Sequence, residues 1–272
     1  MTRIALLQMN AGIDPEVNAR TIVSAADNAS AGGATMLFTP EMSGLLDRDR
    51  ARASHHIVPE EDNRVLGAAR EAAARRGLWI ALGSLAVVSA EGGWANRSLL
   101  IDSRGEIAAR YDKIHMFDVD LSTGESWRES NAYRAGTSVV TAGDTPVGRL
   151  GLTVCYDIRF PALFEELGKR SCDVIAIPAA FTVPTGQAHW HLLQRARAVE
   201  ASAWVVAAAQ VGAHEDGRQT YGHSLVVDPW GDVVLDMGGE GPGLGFAEID
   251  RSRTRQVRAQ LPSLANRRSI AT

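Results

Sequence analysis

Short apolar runs alternate along the chain with longer segments of helical period. The runs are rich in Val, Ile and Leu, and the segments between them are rich in Ala and Arg. Strands are predicted within residues 1–10 and at 34–38, 78–85, 98–101, 107–111, 149–154, 174–177, 204–209, 224–227 and 233–235. Helices are predicted from Asp14 toward Gly32 and at 60–76, 162–170, 187–200 and 251–260. This alternation is typical of a layered α/β domain.

Two further patterns bear on the organisation of the chain. Residues 112–138 are polar and irregular, and a loop of that length inside a compact domain is usually functional or disordered. The strands at 34–38 and 174–177 both run into a proline, which indicates either two similar halves packed sheet to sheet or chance. Because no Pro-, Ser- or Gly-rich linker separates the halves, we predict a single domain over residues 1–272.

Composition and charge exclude several classes of protein. The 272 residues are 45% hydrophobic and 22% charged, which is an ordinary globular balance. A formal charge of −4 argues against a nucleic-acid binder, and no window approaches the roughly 18 apolar residues of a membrane span. Two cysteines cannot form a disulfide framework and fit a reducing compartment. A cytoplasmic protein without membrane or nucleic-acid partners is therefore expected.

Four residues follow predicted strands or lie in the long loop, where side chains are presented to clefts. They are Glu41, Lys113, Glu129 and Cys155. Singly, each has an ordinary explanation as a cap, a surface charge or a small buried side chain. Together they fit nucleophilic catalysis, because an ammonium lowers the pKa of a nearby thiol and a carboxylate can accept its proton.

This combination suits the hydrolysis of an amide. Attack by Cys155 on the carbonyl carbon would create an oxyanion, which Lys113 and a backbone N–H just after the nucleophile would stabilise. Glu41 would return its proton to leaving ammonia and later activate the water that hydrolyses the thioester. Glu129 would hold Lys113 in place.

Three segments carry a resemblance to a known family. Residues 38–41 (FTPE), 111–118 (YDKIHMFD) and 151–161 (GLTVCYDIRFP) resemble, in order, the three active-site motifs of the nitrilase superfamily of carbon–nitrogen hydrolases. Residues 178–181 (PAAF) and 221–231 (YGHSLVVDPWG) extend the likeness over nearly the whole chain.

The resemblance implies roles, a fold and an assembly. Glu41 matches the general base, Lys113 the oxyanion stabiliser, Cys155 the nucleophile and Glu129 the second glutamate of that family. It also implies a four-layer αββα sandwich that pairs through its helices into a homodimer or a higher homo-oligomer. No metal or organic cofactor is expected.

Within the superfamily, residues 187–198 and 240–244 look most like the branch that contains deaminated glutathione amidase and omega-amidase. The implied substrate is a small carboxylate-bearing molecule with a primary carboxamide, from which ammonia is released: deaminated glutathione or the omega-amide of a 2-oxo acid. The same chemistry would also serve an N-carbamoyl amino acid hydrolase, a nitrilase or an acyltransferase.

A guanidinium binds a carboxylate well, so an arginine is expected to bind the carboxylate of the substrate. Arg159 is the first candidate. An ion pair between Arg159 and Asp157 or another carboxylate is an equal alternative. Tyr156, Phe181 and Thr182 are the other candidates for substrate binding, since a strand end of this kind faces the same opening. Cys172, at the mouth of a buried strand, is expected to be inert.

Two interpretations of another class remain. A metal hydrolase would use His189, His191 and His223, but residues i and i+2 of a helix do not share a face, so His189 and His191 cannot bind one ion together. A non-catalytic scaffold with the same fold would have no reason to keep the nucleophile, base and lysine.

Overall fold

Sixteen strands and six α-helices make up the computed structural model, which describes residues 1–120, 124 and 126–268. The strands are β1 Thr2–Gln8, β2 Met36–Phe38, β3 Trp79–Val88, β4 Trp94–Ile101, β5 Ile107–Asp112, β6 Asp118–Asp120, β7 Ser126–Arg128, β8 Val140–Thr145, β9 Gly148–Leu152, β10 Val174–Ala176, β11 Trp204–Ala207, β12 Val211–Ala213, β13 Gln219–Tyr221, β14 Leu225–Val227, β15 Val233–Asp236 and β16 Gly243–Ile249. The helices are α1 Pro15–Ala31, α2 Arg50–Ala53, α3 Arg64–Arg76, α4 Pro161–Lys169, α5 Val183–Ala201 and α6 Arg251–Gln260.

Two six-stranded sheets form the centre of the molecule. The first has the order β16-β1-β2-β3-β4-β5 and the second the order β15-β14-β11-β10-β9-β8. Each has three parallel strands in its middle, β1-β2-β3 in the first and β9-β10-β11 in the second, with antiparallel strands outside them. The two halves are therefore built alike, which favours similar halves over chance as the interpretation of the proline that follows both central strands.

Alternate residues of one strand show how the layers stack. Ile4 and Leu6 of β1 are fully buried and belong to a core that also contains the second sheet, whereas Ala5 and Leu7 pack with α1 and α3. Helices α4 and α5 cover the outer face of the second sheet through residues such as Phe164. Side chains alternate across a strand, so each central strand contributes to two cores. This order of layers confirms the predicted αββα sandwich.

Local caps explain where helices begin. Asp14 caps α1 by accepting a hydrogen bond from the Glu16 amide, as predicted. The helix predicted at 60–76 instead starts at Arg64, because the Asn63 side chain accepts from Leu66 N, and residues 60–62 form a separate 3₁₀ turn. The helix predicted at 187–200 starts earlier, at Val183, because proline is tolerated in a first helical turn.

The segment 112–138 is not a plain loop. Strands β6 and β7 form a hairpin in it, and a 3₁₀ turn follows at Glu129–Asn131. Residues 121–123 and 125 of this predicted loop lie outside the described residues. Strands β8, β12, β13 and β16 were also not predicted. Within residues 1–120, 124 and 126–268, no helix has both the length and the apolar character needed to cross a membrane.

Candidate active site

Four strand ends from the two sheets meet at one edge of the sandwich. Glu41 follows β2, Lys113 directly follows β5, and Cys155 follows β9. The strand β10 leads into Pro178, whose carbonyl accepts a hydrogen bond from Cys155 N at 2.8 Å. Parallel strands present their carboxyl ends on the same edge of a sheet, which is where open α/β sheets commonly place ligand sites.

Gly83 allows the two sheets to approach each other here. A Cβ atom on Gly83 would lie 2.1 Å from Thr39 O, 2.4 Å from Pro40 O and 2.6 Å from Pro178 Cβ. Any larger residue would push the turn that carries Glu41 away from the strand end that precedes Ala180. With Gly83 in place, Glu41 Oε2 accepts a hydrogen bond of 3.0 Å from Ala180 N, which follows β10 of the second sheet.

The Lys113 ammonium lies between two carboxylates. Its Nζ donates to Glu41 Oε1 at 2.9 Å and to Glu129 Oε2 at 2.8 Å and Oε1 at 3.1 Å. Lys113 is only 2% exposed. Burial alone would lower the pKa of Lys113, but the Glu129 and Glu41 carboxylates outweigh it and raise this pKa well above 10.5. The lysine is therefore charged at neutral pH.

Asn96 is a functional candidate that sequence reasoning missed. Its Nδ2 atom donates to Glu41 Oε1 at 2.9 Å and to Glu129 Oε1 at 3.1 Å, and the residue is fully buried. The backbone carbonyl of Asn96 accepts a hydrogen bond from Lys113 N at 3.0 Å. The sequence held no clear signal for Asn96, because the residue precedes the strand predicted at 98–101 and is followed by the polar residues Arg97 and Ser98. Asn96 orients both carboxylates toward the lysine.

Glu129 is held from two directions. Its Oε2 atom accepts from Phe117 N at 2.7 Å, in addition to the contacts with Lys113 and Asn96. The carbonyl of Phe117 in turn accepts from Glu129 N at 3.3 Å. The segment that was predicted as a long loop thus supplies a fixed carboxylate, because the β6–β7 hairpin returns the chain to Phe117.

Cys155 stands on a sharp turn. It has a φ of 48°, in the left-handed region that L residues with a side chain rarely adopt, and it opens the 3₁₀ turn Cys155–Arg159. Such conformations persist where the surroundings impose them and are frequent at active sites. The turn exposes 8% of Cys155 to a cleft.

Asp157 anchors this turn, and an ion pair with Arg159 was one of two equal alternatives that the sequence left open. Its carboxylate accepts from Tyr111 Oη at 2.6 Å, from Val154 N at 2.8 Å and from His115 N at 3.0 Å, and its Oδ1 lies 2.7 Å from His115 Nδ1. Asp157 is fully buried. The alternative of an ion pair between Arg159 and Asp157 is therefore wrong. Asp157 instead joins the cysteine turn to the strand that carries Lys113.

The surroundings of Cys155 favour the neutral thiol. Burial raises the pKa of the Cys155 thiol well above its ordinary value of 9.0, and the Glu41 carboxylate acts in the same direction. The Lys113 ammonium lowers this pKa, as predicted, but is outweighed. A resting thiol beside a carboxylate requires that the carboxylate take the proton as the sulfur attacks. Glu41 is in position to do so.

Aromatic side chains form a row along the cleft in front of Cys155. The Trp127 and Phe117 ring centroids are 6.4 Å apart, and Phe117 meets Tyr156 edge-on at 5.0 Å. Sequence reasoning found Tyr156 but missed Trp127, which lies in β7 and lines the cleft together with Trp94.

Arg159 lies at one end of this row, with its guanidinium carbon 5.9 Å from the Tyr156 ring centroid and 5.4 Å from that of Phe181. Its Nη1 atom is 3.3 Å from His189 Nδ1. Among the described residues, no carboxylate pairs with Arg159. Phe181 and Thr182 are mostly buried and line the same cleft. All four predicted substrate-binding residues thus line the same cleft.

A second group of arginines lies at the other end of the aromatic row. Arg218 stacks over Trp127 with 5.1 Å between its guanidinium carbon and the ring centroid, and it pairs with Asp216 at 2.7 Å. Arg48 and Arg50 also line the cleft and are exposed. Neither forms an ion pair with another side chain in the part of the chain that the structure describes.

The histidines and the second cysteine lie elsewhere. His189 contacts Arg159, whereas His191 and His223 converge on Asp236, so the predicted divergence of His189 from His191 is observed. The three histidines therefore do not form one metal site. Cys172 is fully buried, and burial raises the pKa of its thiol to about 12, which agrees with the prediction that it is inert.

An αββα sandwich with a buried glutamate, lysine and cysteine at one edge of its sheets is the arrangement implied by the resemblance to the nitrilase superfamily. A comparison with family models gives the same result: the model described as carbon-nitrogen hydrolase matches residues 3–259. The chain belongs to this family and is an enzyme that acts on carbon–nitrogen bonds.

Individual relatives and solved structures are similar to this chain over most of its length. The chain is 41% identical to a deaminated glutathione amidase of Yersinia enterocolitica, over 99% of this chain and 94% of that protein. The crystal structure of the Caenorhabditis elegans NitFhit protein superposes with a TM-score of 0.90 and 38% identity, over 98% of this chain and 65% of that one. An amidase mutant from Nesterenkonia sp. AN1, with acrylamide added to its active-site cysteine, superposes with a TM-score of 0.78 and 27% identity, over 96% and 98%.

Proposed function

We propose that the protein is a cysteine-dependent amidase that hydrolyses deaminated glutathione or a closely related amide of a 2-oxo acid through a thioester. The observation that carries this proposal is the Lys113 ammonium, hydrogen-bonded to both Glu41 and Glu129 beside the thiol of Cys155. The relatives named above support the substrate class.

The reaction divides into two halves. As Cys155 Sγ attacks the amide carbonyl carbon, its proton passes to Glu41, and Lys113 donates to the carbonyl oxygen as negative charge develops there. The C–N bond then breaks while Glu41 returns the proton to the leaving nitrogen. In the second half Glu41 takes a proton from water as the water oxygen attacks the thioester, the C–S bond breaks to free the acid, and Glu41 returns the proton to Cys155 Sγ.

The leaving group follows from the substrate. Deaminated glutathione has lost the only amine of its glutamyl part and contains two secondary amides, so hydrolysis at the former γ-glutamyl bond releases cysteinylglycine and 2-oxoglutarate. The sequence prediction of a primary carboxamide and free ammonia fits 2-oxoglutaramate but not this molecule. In both cases the acyl part carries a carboxylate and a keto group.

Arginines at the two ends of the aromatic row suit a substrate with a carboxylate at each end. Arg159, without a carboxylate partner in the described chain, would bind the 2-oxo acid carboxylate. Arg48 and Arg50 would face the carboxylate of the glycine in the leaving dipeptide. 2-Oxoglutaramate, which lacks the dipeptide, would use only the first end.

A product assay tests the substrate. We expect deaminated glutathione to be hydrolysed with the highest kcat/KM, measured as equimolar 2-oxoglutarate and cysteinylglycine, and 2-oxoglutaramate to follow with release of ammonia. Faster turnover of an N-carbamoyl amino acid or of a nitrile would favour those alternatives within the same chemistry. Absence of turnover on all four classes would favour the non-catalytic scaffold.

Two variants separate chemistry from recognition. Cys155→Ser should abolish turnover of every substrate, because the alcohol is a far weaker nucleophile beside the same base. Arg159→Gln should raise KM for both 2-oxo acid amides and leave a neutral aliphatic amide unaffected. Equal effects of Arg159→Gln on charged and neutral amides would contradict the proposed role of Arg159.

We further propose that residues 1–272 form one domain that pairs into a homo-oligomer. In support of the pairing, exposed apolar side chains lie on α5, on the β14–β15 turn and on β15, and Arg195 of α5 donates to the Gly231 carbonyl of that turn at 2.7 Å. We call these residues the α5 apolar face: Leu192 (67% exposed), Val199 (42%), Trp230 (49%), Val233 (40%) and Val234 (51%). Both cysteines are free in the structure, and the chemistry requires a reduced thiol, which supports the predicted cytoplasmic location.

A further inference from the structure

His191, His223 and Asp236 form a cluster outside the proposed catalytic residues. They come from three different elements: His191 lies on α5, His223 follows β13, and Asp236 ends β15. One potential ligand atom from each residue lies within 4.8 Å of the other two. Residues far apart in sequence are thus brought to one point on the surface.

The contacts inside the cluster are short. His191 Nε2 is 2.8 Å from Asp236 Oδ2, and His223 Nδ1 is 3.0 Å from Oδ1 and 3.2 Å from Oδ2. The three side chains are 37%, 24% and 32% exposed, so the cluster is open to solvent on one side. Among the residues that the structure describes, no lysine or arginine pairs with Asp236.

The Asp236 carboxylate is also oriented by the backbone, because the Gly238 amide donates to its Oδ1 at 2.9 Å. Carboxylate oxygens and two imidazole nitrogens therefore converge at this point.

We propose that His191, His223 and Asp236 bind a divalent first-row transition-metal ion of the Zn²⁺ type. Two imidazoles and one carboxylate are a donor set that Zn²⁺, Co²⁺ and Ni²⁺ accept, whereas Ca²⁺ and Mg²⁺ prefer oxygen ligands throughout. The metal would bind His191 Nε2 and His223 Nδ1, and each neutral ring would carry its hydrogen on the opposite nitrogen. Water from the open side would supply the remaining position.

The site would stabilise the wall of the cleft. Trp190, adjacent to His191, donates from Nε1 to the His223 carbonyl at 2.8 Å and packs edge-on against Phe181 with 4.9 Å between centroids. The backbone amide of Tyr221 donates to the Phe181 carbonyl at 2.9 Å. The Tyr221 ring stacks on the His223 ring with 4.3 Å between their centroids. A metal that joins α5 to β15 would therefore restrain Trp190 and Tyr221, the two residues that contact Phe181.

Cobalt binding gives a direct test that does not depend on activity. The tag-free Cys155→Ala chain, which lacks the active-site thiol as a competing ligand, is titrated with Co²⁺ while the visible d–d absorption is recorded. We expect saturation at one equivalent, loss of the band when Zn²⁺ is added, and a higher melting temperature with Zn²⁺ than without it.

Variants in the same background identify the ligands. His191→Asn and Asp236→Asn, each of which replaces a proposed ligand by an uncharged amide, should weaken Co²⁺ binding more than about tenfold. His189→Asn, two residues from His191 on another helix face, should bind Co²⁺ normally. Circular dichroism verifies that each variant is folded. An absent or unsaturable band, or equal affinity in His191→Asn, would overturn the proposal.

Discussion

The side-chain amide of Asn96 and the ammonium of Lys113 donate to the same oxygen, Oε1 of Glu41, each at 2.9 Å. The other oxygen of Glu41 accepts from the Ala180 amide. The proposed base is thus held by three donors from different parts of the chain. Its orientation toward the thiol does not depend on substrate.

Asn96→Ala should lower kcat with little change in KM. Loss of a hydrogen bond to a buried carboxylate costs about 1.5–3 kcal/mol, which corresponds to a roughly 10- to 100-fold decrease if the cost falls on the transition state. Steady-state kinetics with the best substrate measure the split between kcat and KM. Asn96→Gln, which keeps an amide, serves as the matched variant and should retain more activity than Asn96→Ala. An unchanged kcat in Asn96→Ala would contradict a positioning role.

Glu129→Gln should shift the basic limb of the pH profile. The Glu129 carboxylate raises the pKa of Lys113, so its neutralisation lowers this pKa and the ammonium is lost at a lower pH than in the wild type. The profile of kcat/KM against pH should therefore fall earlier on the alkaline side in the variant. The amide side chain introduced by this substitution can still accept from Lys113 and from the Phe117 amide, which limits structural damage. A basic limb at the wild-type position would show that Glu129 does not control the lysine.

The rate of alkylation by iodoacetamide should show that the Cys155 thiol is neutral in the resting protein. Because the pKa of Cys155 is raised, only a small thiolate fraction exists near neutral pH, and the labelling rate should increase with pH without a plateau near pH 7. Mass spectrometry of tryptic peptides measures the rate at each pH. Cys172, which is fully buried and has a pKa of about 12, should stay unlabelled in the folded protein. A rate already constant from about pH 6 upward would indicate a resting thiolate, since the rate follows the thiolate fraction.

The central strands and the chemical residues could be predicted from the sequence because their signals are local. The runs ending at Phe38 and Ala176 are apolar at every position, and residues that follow the ends of neighbouring parallel strands face a common edge. This is how Glu41, Lys113 and Cys155 could be grouped before their distances were known.

Other parts depend on contacts between distant segments. The edge strand β16 is only partly buried, and it forms because it pairs with β1. The sequence of β16 alone does not indicate this pairing. Asn96 could not be distinguished from a solvent-facing polar residue of β4, because its partners come from other elements. Likewise, Arg159 and Asp157 are close in sequence and opposite in charge. Only the fold shows that the Asp157 carboxylate contacts Tyr111 and His115 instead.

Tyr111→Phe should destabilise the protein. The Tyr111 hydroxyl donates to Asp157 Oδ2 at 2.6 Å, and both residues are buried. Removal of this donor leaves a buried carboxylate with one fewer partner, at a cost of about 1–3 kcal/mol. A melting temperature lower by roughly 2–4 °C per kcal/mol is expected for a domain of this size. Tyr221→Phe is the matched control, because the Tyr221 hydroxyl forms no hydrogen bond within the described residues, and it should melt like the wild type.

Leu192→Glu should shift the protein toward the monomer. Leu192 is the most exposed member of the α5 apolar face, and a carboxylate there would be desolvated in any interface that covers this face. Light scattering coupled to size-exclusion chromatography measures the mass across a range of concentrations. Val17→Glu is the matched control, because Val17 is 46% exposed on α1, on the outer side of the first sheet, and the wild-type mass should persist. A wild-type mass in Leu192→Glu, or an equal loss of assembly in Val17→Glu, would show that copies of the chain pair through another surface.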